Sequence, residues 1–153
     1  MAYDIECRAC RAQTWAVNVV DLFEHHTNAQ GHFVCSKCMG IDTFIHQKSG
    51  ALQEAPDEVW ERWNKGVIRI HYPKYPTYCP YIFLTADNEA GPITGLNFCY
   101  YKDTRSTGGK LKHGHGPGGG PVLDIEDVFT ILRHLLVEGV VTKKQVHEFA
   151  DTI

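Results

Sequence analysis

The chain has 153 residues, 43% of them hydrophobic and 22% charged, with a formal net charge of −3. That is enough apolar material for one domain, or for a small module plus one compact domain, and it excludes wholesale disorder. The acidic balance argues against a broad nucleic-acid interface. Residues 101–123 are the only basic window, with four Lys or Arg against one Asp. The first ten residues, MAYDIECRAC, lack the basic start and apolar run of a secretory signal, and no uncharged stretch reaches membrane-helix length. A cytoplasmic protein without a membrane anchor is therefore expected, and in that compartment paired cysteines favour metal over disulfide.

Residues 1–50 read as short strands around two Cys-x-x-Cys pairs. Strands are expected at 3–6, at 15–19 where Trp15, Val17 and Val19 alternate, at 32–34 and at 41–46. Cys7 and Cys10 form one pair, and Cys35 and Cys38 the other. Two such pairs supply four thiolates that converge tetrahedrally on one ion, a closed and hence structural site. Arg8 and Lys37 sit inside the pairs, where their charge offsets that of a tetrathiolate centre. Glycine often follows the second cysteine of such a knuckle; here Arg11 follows Cys10, and Met39-Gly40 follows Cys38. Over residues 3–46 this resembles the zinc-ribbon and rubredoxin-like group, which implies one structural Zn2+, with iron as the alternative. His25, His26 and His32 lie between the pairs as substitute ligands or, more simply, as surface histidines.

Residues 48–50 mark a boundary, giving a zinc-ribbon module over 1–50 and a second domain over 51–153. Pro56, Asp57, Glu58 and Gly66 suit the ends of a short helix over 56–65, with Val59, Trp60 and Trp63 on its apolar face. A strand over 67–72 follows, then a hairpin of 81–85 with 93–101 across a turn at 87–92. In that hairpin Cys79 and Cys99 come out as cross-strand neighbours, readable as buried thiols, a redox pair, or a second metal site with His71 or His113. Six of the seven tyrosines lie outside the first module, at 72, 75, 78, 81, 100 and 101. Such rings either pack on one another and on Pro73, Pro76 and Pro80, or stack nucleobases.

Residues 103–121 hold seven of the fourteen glycines and are expected to form neither helix nor strand. Arg105, Lys110, Lys112, His113 and His115 are its candidate anion-binding residues, and residues 102–115 its candidate nucleic-acid contact. The same loop reads equally as a solvated linker or as a catalytic lid. Beyond it, Asp124 caps a helix whose apolar residues recur from Ile125 to Leu136, Gly139 ends that helix, and Thr142 with Gln145 caps another ending near Asp151. Residues 135–146 resemble the small helical hairpins of the SHOCT type, which implies packing or self-association.

The fold expected is α+β: a zinc ribbon, a small antiparallel sheet carrying one helix, and a helical hairpin over 124–151. The function expected is that of a non-catalytic zinc protein binding a macromolecule, more readily a protein than a nucleic acid. The alternative is a small enzyme that holds a phosphate or carboxylate under the glycine-rich loop, with Arg105, Lys110, His113 and His115 in its site.

Overall fold

A computed structural model describes residues 1–49, 53–54, 56–57, 59–114 and 120–153. Its strands are β1 (Tyr3–Cys7), β2 (Gln13–Ala16), β3 (Thr43–Lys48), β4 (Glu61–Arg69), β5 (Tyr78–Ala86), β6 (Gly95–Asp103) and β7 (Leu111–His113). All seven join one antiparallel sheet in the order β2-β1-β3-β4-β5-β6-β7. The helices are α1 (Val19–His25), α2 (Ile125–Val137) and α3 (Lys143–Ala150).

This corrects the expected α+β arrangement of a ribbon beside a separate small sheet. Strands of residues 1–50 and of the later chain share one mostly β layer, because β3 pairs with β4 from Ile45↔Asn64 to Lys48↔Glu61. The helix expected over 56–65 is not formed: Pro56 and Asp57 lie in a turn, and 61–65 belong to β4. Bulky residues here find open backbone edges on β3 and β5, and pairing on both sides outweighs a short helix with weak propensity. Trp63, placed on the expected helix, instead stacks on His46 with ring centroids 4.7 Å apart.

The strand expected over 15–19 is also cut short. Asn18 leaves the strand and caps α1, its side-chain oxygen accepting from Val20 and Asp21 N–H at 3.0 and 3.1 Å. Val19, Leu22 and Phe23 then recur at helical spacing and are buried. Residues 32–34 form only isolated bridges, Thr27↔Phe33 and His32↔Gly66.

Strand alternation divides the core between two faces. Tyr3, Ile5, Ile45, Val67, Tyr81, Phe83 and Cys99 pack with Val19, Leu22 and Phe23 of α1. Ile68, Ile70, Ile82 and Leu84 pack with Ile131 and Leu135 of α2. Each of those two helix side chains contributes roughly 1.5–3 kcal/mol by leaving water. A bulge between Asn64 and Gly66 lets β4 serve both faces in the correct register. The hairpin forms as β5 and β6, but Cys79 faces Tyr101 and Cys99 faces Tyr81, so the two cysteines are not direct partners.

The N-terminal capping boxes of α2 and α3 both form as expected. Asp124 N–H donates to Asp127 Oδ2 at 2.8 Å, and Gln145 N–H donates to Thr142 Oγ1 at 3.2 Å. Only α2 packs, however; α3 has no buried residue, so the expected helical hairpin is formed in part.

Candidate metal centre

Cys7 closes β1, and Cys10 sits in the turn to β2. Cys35 and Cys38 lie on a second turn that precedes β3. The two turns repeat one hydrogen-bond pattern. Arg11 N–H donates to Cys7 O at 2.9 Å, and Met39 N–H to Cys35 O at 2.9 Å. Cys7 N–H donates to Ala12 O at 3.0 Å, and Cys35 N–H to Gly40 O at 2.9 Å. The residue after each second cysteine takes a left-handed conformation, Arg11 at φ 58° and Met39 at φ 57°. The knuckle geometry is thus kept without glycine at either position, at some conformational cost.

All four Sγ atoms lie within 4.8 Å of one another. Cys7 Sγ is 3.7 Å from Cys38 Sγ, and Cys10 Sγ is 3.6 Å from Cys35 Sγ. Sulfurs bound tetrahedrally at ~2.3 Å from one ion stand ~3.8 Å apart, so the spacing fits a metal ion. The protonation pattern points the same way. Hydrogen bonds from Cys38 N–H, opposed by burial and aided by Lys37 N–H, bring the Cys35 thiol down to about 6. Gly40 N–H favours a thiolate at Cys38, yet Cys10, Cys35 and Cys7 crowd it and push it up to about 12. Four thiolates this close need a cation to coexist.

Among the described residues this is the one group of three or more His, Cys, Asp or Glu close enough to hold a metal. The intervening histidines are placed elsewhere: His26 faces Asp21 at 3.9 Å, and His32 faces Glu138 at 2.7 Å. Arg8, expected to offset the sulfur charge, pairs with Asp42 at 3.2 Å. No family model, curated protein or solved structure matches this chain.

The candidate anion-binding residues are spread over different settings. Arg105 is held by Asp103, with Nε and Nη2 donating to its two oxygens at 2.9 and 2.7 Å. Lys110 is exposed, and its backbone N–H donates to Thr104 Oγ1 at 3.0 Å. Lys112 faces Lys102 across the β6–β7 pair, whereas His113 faces Tyr101, so alternation puts them on opposite faces of the sheet. His115 lies outside the described residues, as do 116–119.

The tyrosines divide in the same way. Tyr81 is buried against Phe23 and Phe83, at centroid distances of 5.1 and 5.2 Å. Tyr72, Tyr75, Tyr78 and Tyr100 instead line an open trough of about 550 Å3 beside Lys102, Gly120 and Asp124. Sequence spacing missed this trough because the elbow that brings Tyr72 and Tyr75 beside β6 carries no periodic signal. Burial pushes the Cys79 and Cys99 thiols up, away from thiolate, and both are free cysteines. No helix among the described residues is long and apolar enough to cross a membrane.

Proposed function

We propose that this chain is a cytoplasmic zinc protein whose metal is structural and whose work is to bind another protein rather than to catalyse. A borderline-soft ion suits four thiolates, and four ligands leave no open position for substrate. In a reducing compartment those cysteines stay available to the ion.

The observation that carries the binding assignment is the outer face of α2. Ile125, Val128 and Phe129 are 73%, 52% and 59% exposed, although the helix is already anchored through Ile131 and Leu135. Phe149 of α3 is 68% exposed as well. A row of large apolar residues left in water on an ordered helix is what a protein partner covers, either a second copy or another chain.

The test compares wild type with Val128→Asp/Phe129→Asp. Metal analysis of the wild type is expected to give about one zinc per chain. Light scattering on the pure protein shows whether the partner is a second copy; affinity capture shows whether it is another chain. Either association, lost in the double variant while its circular dichroism is unchanged, supports the assignment. A monomer with no partner sensitive to the double substitution overturns it.

A further inference from the structure

Beyond the N-terminus of α2, the trough combines features that the protein-binding assignment leaves unused. Tyr78 and Tyr100 are neighbours with ring centroids 5.4 Å apart, and Tyr72 and Tyr78 are nearly parallel at 6.1 Å. The hydroxyls of the inner rings are already committed. Tyr78 accepts from Val122 N–H at 3.0 Å, and Tyr72 donates to the Asp127 carboxylate and accepts from Asp124 N–H. These rings are therefore fixed. Tyr75, at the same trough, is 55% exposed and has the most ring area still to be covered.

The sheet register adds charge. Tyr78 faces Lys102, and Lys102 in turn faces Lys112, all on one face. Two ammonium groups directly opposed on adjacent strands repel each other. Among the described residues neither has a carboxylate within salt-bridge distance. Asp124 also lines the trough. Its carboxylate disfavours an anion beside it and accepts from hydroxyl or amine donors. A suitable ligand thus presents a flat ring to the tyrosines, an anionic group to the lysine pair and donors to Asp124.

We propose that this trough binds a nucleotide, with its base on the tyrosine rings, its phosphate on Lys102 and Lys112, and a sugar hydroxyl or exocyclic amine on Asp124. The volume lies in the range of small-ligand sites. The nucleotide is either free or a residue of a single strand, since both offer the same chemistry. Val128 and Phe129, which test the outer face of α2, do not line the trough, so either proposal can fail alone.

The experiment is calorimetric titration of the full chain with AMP, UMP, adenosine, inorganic phosphate and a single-stranded octanucleotide. At least one nucleotide is expected to bind more tightly than adenosine or phosphate alone. Tyr75→Ala should lower nucleotide affinity by about 5- to 140-fold, the range of one lost base–ring stack. Lys102→Ala/Lys112→Ala, two exposed changes that relieve repulsion, should lower nucleotide affinity by about tenfold while leaving adenosine unaffected. An octanucleotide binding far more tightly, with a steep salt dependence, assigns the ligand to a single strand; comparable binding assigns it to a free nucleotide. Failure of every nucleotide to saturate the protein, or unchanged affinity in both variants, overturns the proposal.

Discussion

His32 Nε2 lies 2.7 Å from Glu138 Oε2, joining the segment between the cysteine pairs to the C-terminal end of α2 across 106 residues. Beside them His134 has a buried Nε2 without a hydrogen-bond partner, and burial lowers its pKa from the ordinary 6.5. Glu138 opposes that shift and His32 adds to it; Arg69, His71 and Arg133 line the same cavity.

The pH dependence follows from burial, which disfavours the charged form of His134 in the folded state. Below about pH 6.5 the unfolded chain takes up a proton that the folded chain resists, so stability falls with falling pH until the folded value is passed. Urea unfolding should give a lower midpoint at about pH 5.5 than at about pH 7.5, and His134→Leu should narrow that difference. An unchanged difference would assign the dependence to other groups.

Metal removal should act first on the N-terminal part. Structural Zn2+ supplies on the order of 10 kcal/mol in isolated fingers, but here β1 and β3 also lie inside a continuous sheet. Cys35→Ser or chelation is therefore expected to abolish metal content and remove amide protection at residues 5–12 and 33–43, with β5 and β6 protected longest. Hydrogen exchange read by mass spectrometry checks the order of loss; simultaneous loss everywhere would refute it.

Met39 holds a left-handed φ of 57° at a position where glycine is free of the side-chain penalty. Met39→Gly should raise stability by about 0.5–1 kcal/mol with metal binding retained. Since Met39 is 70% exposed, little packing is lost in exchange. A destabilised Met39→Gly protein would contradict the knuckle conformation described.

Gly31 has φ 86°, and a Cβ there would come within 2.1 Å of Val67 O. Its carbonyl accepts from Val67 N–H at 2.8 Å, so the approach between segment and strand is backbone to backbone. Gly31→Ala should cost roughly 3 kcal/mol in thermal or urea unfolding. Gly108→Ala makes the control, because it shares a positive φ but has open space around it; its smaller loss isolates the steric part.

Local chemistry alone placed the four cysteines, the capping residues Asp124, Thr142 and Gln145, and the hairpin of β5 with β6. Each depends on neighbours a few residues away or on a fixed donor set, and is legible without knowing the fold. The tertiary structure decided the rest. Residues 61–65 became strand because two backbone edges awaited them, and the bulge at Asn64/Gly66 set which side chains face α1 and which face α2. The tyrosines and basic residues that read as one strip and one loop were sorted by strand alternation onto opposite faces. Tyr81, Tyr101 and His113 lie on the α1 side, with Tyr78, Tyr100, Lys102 and Lys112 on the other. Register shifts by a single residue reverse such an assignment, and register is fixed by long-range pairing that no local spacing encodes.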